Sequence, residues 1–132
     1  MCDQCQIPNP CNRAKAKLAN TNQQADPCMY YTLKFLINNA LGENHRKTKD
    51  EIINYLNSVG CIITSQEVWS TSILQELKDE RIVATDVYPG NKGGVFIPCN
   101  ISDLNMAISN LEKRIGRETK HLNDYRKIKN GL

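Results

Sequence analysis

No stretch of this sequence approaches the 18 consecutive apolar residues that a membrane-spanning helix needs. The N-terminus has neither the basic region nor the apolar core of a secretory signal. These absences predict a cytoplasmic protein that does not enter a membrane. In a reducing compartment, its six cysteines are expected to be free or metal-bound rather than paired in disulfides.

The sequence also has little that would support catalysis. It has two histidines, His45 and His121, each in a basic stretch with no paired carboxylate or nucleophile spaced to meet it. Gly93-Gly94 lies inside a turn between two apolar runs, so no Gly-rich phosphate loop follows a strand. We therefore predict that the protein is not an enzyme and requires no organic cofactor.

Neither sign of charge dominates. The 132 residues include 17 basic and 14 acidic side chains, for a net charge of +3, which does not by itself identify nucleic acid as a partner. One segment is strongly basic: from Lys113 to Lys129 there are seven Lys or Arg residues and two acidic ones. These cations either contact phosphates or form the solvated face of a coiled coil, and the sequence leaves both interpretations open.

Residues 1–27 are rich in Cys, Asn and Gln, with Ile7 and Leu18 as their sizeable aliphatic side chains. We expect an N-terminal tail that contributes little to a core. Four thiolates are available for a tetrahedral zinc ion, the one metal that the sequence leaves open: Cys2, Cys5, Cys11 and Cys28. Because the spacing after Cys5 is irregular, a tail whose cysteines bind no metal is the alternative.

Two helices are predicted next. The first runs from about Pro27 to Leu41 and ends at Gly42, with apolar side chains along one side: Met29, Leu33, Leu36, Ile37, Ala40 and Leu41. The second begins at the capping box Thr48-Lys49-Asp50-Glu51 and ends at Gly60. Its buried face is expected to contain Ile52, Ile53, Leu56 and Val59.

The stretch from Thr64 to Pro98 has the clearest pattern. Thr64-Ser65-Gln66-Glu67 reads as a second capping box, which opens a helix whose apolar arc is Val68, Trp69, Ile73, Leu74 and Leu77. A polar strip remains on the other side: Glu67, Thr71, Gln75 and Lys78, flanked by Ser70 and Ser72. Two β-branched runs, 82–88 and 95–97, then surround a Gly/Asn-rich turn, which predicts a hairpin.

A final helix is predicted from a cap at Asn100 or Ser102 to about Lys129. Its apolar positions follow a heptad spacing that predicts a homodimer: Leu104, Ile108, Leu111, Ile115 and Leu122. An intramolecular brace against the first helix is the alternative.

Together these elements predict a mainly α (α+β) fold, a winged helix-turn-helix with a two-stranded wing and a long C-terminal helix. The expected organisation is a tail over 1–27, the winged domain over 28–100 and a dimerisation helix over 101–132. Such a module binds double-stranded DNA through phosphate contacts that position it and base contacts that specify sequence. The candidate positions for base edges are Ser70, Thr71, Ser72 and Gln75, with Lys78 nearby; those for phosphates are Lys47, Lys49 and, at the wing tip, Asn91 and Lys92.

One family resemblance rests on residues 83–115. Gly93-Gly94-Val95-Phe96-Ile97-Pro98, an Asp-bearing cap and a helix containing Leu111-Glu112-Lys113-Arg114-Ile115 resemble small phage and prophage winged-helix proteins. The resemblance extends over about 48–126. It implies a small DNA-associated protein in phage replication or gene control.

The sequence therefore favours a DNA-binding transcriptional regulator or replication accessory factor of phage or mobile-element type. Two other functions remain open. The first is an adaptor whose winged helix docks another protein, because the polar strip includes Glu67 and no arginine. The second is a metal- or redox-responsive regulator that uses the N-terminal cysteines.

Overall fold

The computed structural model describes residues 9–86 and 94–131. It is mainly helical, with a small two-stranded antiparallel sheet and a long C-terminal helix. In chain order the elements are α1 (Asn9–Asn20), α2 (Pro27–Asn39), a 3-10 turn (Glu43–His45), α3 (Lys49–Ser58), α4 (Gln66–Trp69), a π-helical turn (Ser70–Leu74), α5 (Gln75–Asp79), β1 (Ala84–Asp86), β2 (Gly94–Phe96) and α6 (Ile101–Asn130). No helix in these ranges has the length and apolarity to cross a membrane.

Side-chain caps define where α2, α3 and α6 begin, and α4 has one that is described below. Asp26 accepts from the backbone N–H of Met29 at the start of α2, and Asn100 accepts from that of Asp103 at the start of α6. At α3 the predicted capping box is complete: Thr48 accepts from the Glu51 N–H, and the Glu51 carboxylate accepts from the Thr48 N–H. These starts were predictable because each cap is a contact between residues three apart.

α4, the π-helical turn and α5 form one continuous helix, here called the interrupted helix (66–79). The capping box predicted at Thr64 is wrong, because Ser65 is the cap and its hydroxyl accepts from the Val68 N–H at 3.3 Å. Val68 is also wrongly predicted to be buried, since it is 64% exposed. A π turn has more residues per turn than an α-helix, so it rotates the side chains of one half of the helix relative to the other. A helical wheel drawn with one period therefore does not predict the buried face of both halves.

The core collects apolar side chains from every layer of the fold. Its fully buried members include Leu33 and Leu36 of α2, Ile52 and Leu56 of α3, and Trp69, Leu77, Phe96 and Ile97. Val59, predicted on the buried face of α3, is 38% exposed because α3 has already ended there. A reversal follows at Gly60, whose φ of +91° lies in the region that glycine adopts without strain.

The prediction that residues 1–27 contribute little to a core is wrong for α1. Cys11 and Ala14 are fully buried, Leu18 is partly buried, and α1 packs against α2. Small side chains at these positions allow the two helices to approach closely. The prediction of a tail rested on the small number of large aliphatic side chains in this segment. A helix can also pack through a narrow stripe of small residues, which such a count does not detect.

The sheet confirms the predicted hairpin strands. β1 and β2 pair antiparallel with Ala84 opposite Phe96 and Asp86 opposite Gly94. The other edge of β2 pairs with the connection before α3: the Lys47 N–H donates to the Val95 carbonyl at 2.9 Å, and the Val95 N–H donates to the Lys47 carbonyl at 2.7 Å. The turn at 87–93, with the predicted wing tip, lies outside the described residues.

α6 begins against the body of the protein and then extends away from it. The carboxylate of Asp103 is buried and accepts from the backbone N–H groups of Cys99 and Glu43. About two turns further on, the Asn110 side chain donates to the Thr85 carbonyl of β1 at 3.3 Å. All described residues from 111 onward are exposed.

Candidate nucleic-acid interface

The predicted polar strip lies on the outer face of the interrupted helix. Glu67, Thr71, Ser72 and Gln75 are exposed, whereas Ser70 and Lys78 are half-buried at its margins. On the inner side, Trp69, Leu74 and Leu77 anchor the helix in the core. The chain therefore presents these polar side chains outward on a firmly packed helix.

The hydroxyl protons on this strip are already used by the helix. Thr71 Oγ1 donates to the Glu67 carbonyl at 3.0 Å, and Ser72 Oγ donates to the Val68 carbonyl at 2.6 Å. Gln75 Nε2 donates to Asp79 Oδ1 at 2.8 Å. Since a hydroxyl oxygen and an amide oxygen have further lone pairs, these side chains can still accept hydrogen bonds from a ligand.

Several acidic side chains around the interrupted helix have cationic or amide partners. Lys17 of α1 contacts the carboxylates of Glu76 at 2.8 Å and Glu80 at 2.6 Å. The Gln66 amide donates to Asp50 at 2.5 Å. The Lys17 ammonium offsets one of the two negative charges of Glu76 and Glu80 and so reduces their contribution to the local potential.

A groove of about 1050 Å³ separates α5 and β1 from α6. Apolar side chains line part of it: Val83, Ala84, Pro98, Leu104, Ala107 and Leu111. Its charged lining has six cations and one carboxylate: Lys78, Arg81, Lys113, Arg114, Arg117, Lys120 and Asp79. We call this feature the basic groove. Gln75 of the polar strip also lines it, so the groove and the strip form one continuous surface.

Electrostatics link three elements at this surface. Burial lowers the pKa of the Lys78 ammonium below its ordinary value of 10.5, and repulsion from Arg114 and Lys49 lowers it further, against the opposing attraction of Asp79. Positive charges from α3, α5 and α6 therefore act on one another here. Lys47 is half-buried, and its backbone belongs to the sheet.

Sequence reasoning placed Lys49 and Lys78 in this region but left the cations of α6 unassigned. The missing signal was their spacing: Lys113, Arg114, Arg117 and Lys120 recur at intervals of one, three and three residues, which places them on one side of a helix. The side of α6 that faces the rest of the protein is set by the packing of α6 against β1, which the spacing does not reveal. Asn91 and Lys92 lie outside the described residues.

Within the described residues, four of the five predicted dimerisation positions are about half exposed. Ile108, Leu111, Ile115 and Leu122 are between 48% and 60% exposed, and Leu104 is half-buried beside the groove. α6 packs against β1. Leu104 and Leu111 line the basic groove, whereas Ile108, Ile115 and Leu122 lie outside its lining. A second copy covering these positions stays a prediction.

Of the four candidate zinc ligands, the structure describes two, Cys11 and Cys28. Cys11 is buried in the core, and the Cys28 thiol is hydrogen-bonded to Cys61. Burial, with that hydrogen bond, raises the pKa of Cys28 to about 11. Cys2 and Cys5 lie outside the described residues, and within 9–86 and 94–131 no three His, Cys, Asp or Glu side chains form a metal-binding group.

Comparison with known proteins identifies one relevant relative. The chain is 36% identical over 107 residues to "Putative control protein C.MjaVP" of Methanocaldococcus jannaschii. The alignment covers 78% of this chain, which spans 64% of the length of that relative. No protein-family model matches the chain, and no solved structure matches it. The resemblance to phage and prophage proteins is not confirmed by these comparisons.

Proposed function

We propose that this protein is a DNA-binding transcriptional regulator, built as a winged helix-turn-helix with the interrupted helix as its recognition helix. The observation that carries this proposal is the outward polar strip of that helix, continuous with a groove lined by six cations, among them Lys78 and Arg114. The charge of Lys49 also acts on Lys78. The name of the relative, a control protein, supports a regulatory role. It also favours regulation over the replication role that the sequence resemblance implied.

The arrangement of elements supports the winged interpretation. α2 and α3 precede the interrupted helix, and the hairpin of β1 and β2 follows it. The segment before α3 pairs with β2 through Lys47 and Val95, which ties the hairpin to the helices. In such a module the hairpin lies beside the DNA backbone while the recognition helix enters the major groove.

Each predicted contact has a role in this proposal. Base edges are read by Ser70, Thr71, Ser72 and Gln75, whose oxygens accept from base amino groups. Phosphates are bound by Lys49 and Lys78, and also by Lys47. Asn91 and Lys92 are proposed to contact the backbone or minor groove from the wing. All nine are polar residues chosen from the sequence.

A homodimer completes the proposal. The apolar row of α6 alternates isoleucine with leucine, as Leu104, Ile108, Leu111 and Ile115, a pattern that favours two parallel strands when isoleucine occupies the first core position of each heptad. A two-fold regulator of this kind would contact two half-sites.

The test is a titration of the protein with random-sequence duplex DNA at two salt concentrations. We expect binding at low salt that weakens as salt rises, because each phosphate contact releases condensed counterions. Lys49→Gln should reduce affinity, whereas Lys34→Gln, which removes the same charge from the exposed surface of α2, should have little effect. Absence of binding at low salt would contradict the proposal and favour the protein-docking adaptor.

A further inference from the structure

We infer that α6 is itself a DNA-contacting element, whose cationic side binds phosphates of the same duplex that the interrupted helix reads. This inference rests on the proposed function. It assigns Arg114, Arg117 and Lys120 a role that dimerisation alone does not require. It also makes the basic groove a passage for one strand of the DNA backbone.

The first argument is the division of α6 into two sides. At 100° per residue, the cations Lys113, Arg114, Arg117 and Lys120 fall within an arc of about 120°. The centre of the apolar row that includes Ile108 lies about 160° from the centre of that arc. A second copy bound to the apolar side would therefore leave the cations uncovered.

The second argument is the direction in which these cations face. Arg114, Arg117 and Lys120 line the same groove as Gln75 and Lys78 of the interrupted helix. Helices that jointly enclose a groove present their lining side chains to one ligand. A duplex that accepts Gln75 against a base edge must bring its flanking phosphates within reach of α6.

The third argument is the balance of charge around the groove. Six cations line it against the single carboxylate of Asp79, which already accepts a hydrogen bond from Gln75. Glu118 contacts Arg114 at 3.3 Å, but both side chains are more than half exposed, so this pair is weak and can be displaced. Burial together with repulsion from Arg114 and Lys49 lowers the pKa of Lys78, and the approach of a phosphate would relieve that repulsion. A polyanion is the ligand that this distribution favours.

Two charge-matched variants of the full chain test the inference. Arg114→Gln/Arg117→Gln removes two cations from the groove, and Lys127→Gln/Lys129→Gln removes two exposed cations from the last turns of the same helix, outside the groove lining. Binding of a labelled random duplex is measured by fluorescence anisotropy over a series of salt concentrations. Sedimentation velocity checks whether both variants keep the oligomeric state of the unmodified protein.

For the groove variant we expect the slope of log affinity against log salt to fall by about 1.8, the value for two lost phosphate contacts at about 0.9 each. Its affinity near 0.1 M salt should fall by roughly 10- to 100-fold. The control variant should keep its slope and lose only a few-fold in affinity, through the weaker long-range field.

Each result leads to a decision. Equal losses in the two variants, or an unchanged slope in the groove variant, would overturn the assignment of α6 while leaving the proposed function in place. A loss that accompanies dissociation of the dimer would overturn it as well. If the unmodified protein does not bind DNA at low salt, the proposed function fails and this inference fails with it.

Discussion

The Asp103 side chain attaches the start of the long helix α6 to the rest of the fold. Its carboxylate is 5% exposed and accepts from two backbone N–H groups, that of Cys99 at 2.9 Å and that of Glu43 at 3.3 Å. Its own N–H donates to the Asn100 side chain at 2.8 Å. One residue therefore connects the start of α6 to the end of the hairpin and to the 3-10 turn.

Replacing Asp103 with Ala should destabilise the fold by about 2–5 kcal/mol, because two backbone N–H groups lose their acceptor and each buried unsatisfied group is worth about 1–3 kcal/mol. Urea unfolding followed by the emission of Trp69, the single tryptophan, measures the change. Ser102→Ala, at the exposed neighbouring position, serves as the control and should change stability by less than about 0.5 kcal/mol. A change of similar size in both variants would contradict this role of Asp103.

At the level of secondary structure elements, α1 holds the interrupted helix from the side opposite to its polar strip. Lys17 of α1 reaches both Glu76 and Glu80, one turn apart on that helix. The Arg13 guanidinium donates to the Glu80 carbonyl at 3.3 Å, close to the C-terminal end of α5. This helix was missed by sequence reasoning, yet it orients the element on which the proposed function depends.

The contribution of Lys17 to stability should depend on pH. Burial by itself would lower the pKa of its ammonium, but the hydrogen bonds and charges of Glu76 and Glu80 outweigh burial and raise that pKa above the ordinary 10.5. A raised pKa in the folded state means that the stabilisation is fully present below pH 10.5 and is lost as pH rises through the folded value. Lys17→Gln should thus destabilise the protein near neutral pH by about 0.5–1.5 kcal/mol, since the carboxylates are half-exposed.

Urea unfolding of both proteins at neutral pH and above the raised pKa measures this effect. The difference between the two proteins should shrink at the higher pH. Lys15→Gln on the same helix removes an equal charge and provides the control. A difference that stays constant across the pH range would show that Lys17 acts through packing of its methylene groups and not through its charge.

For the whole molecule, the main feature is a 30-residue helix with an apolar row that stays exposed in the part of the chain that the structure describes. Ile108, Ile115 and Leu122 are each about half exposed or more, and they recur at heptad spacing. In the proposed homodimer, a second copy would supply the matching row.

We expect a dimer at micromolar concentration, and Ile115→Asp should convert it to a monomer because a charge in the centre of the seam would be buried without a partner. Ile128→Asp is the control: Ile128 is similarly exposed, at 63%, but falls outside the seam. Sedimentation equilibrium distinguishes the two outcomes, with circular dichroism to verify that both variants remain helical. A monomeric unmodified protein would contradict the dimer directly.

Local chemistry made much of this fold predictable. The capping box at Thr48 and the cap at Asn100 depend on residues three apart, and the hairpin depends on two short β-branched runs and the turn between them. The outward polar strip of the interrupted helix followed from helical periodicity. Such features are encoded within a few residues, so a reader of the sequence can find them before any tertiary contact is known.

Long-range packing decided the remainder. The burial of Cys11 and Ala14, the hydrogen bond from the Glu43 N–H to Asp103, and the effect of the Lys49 and Arg114 charges on Lys78 all join residues far apart in the chain. The basic groove forms because α6 packs against β1, which places the cations of α6 opposite α5. Periodicity reveals which residues share a face of a helix, but the neighbour that this face meets is set by the packing of the whole chain.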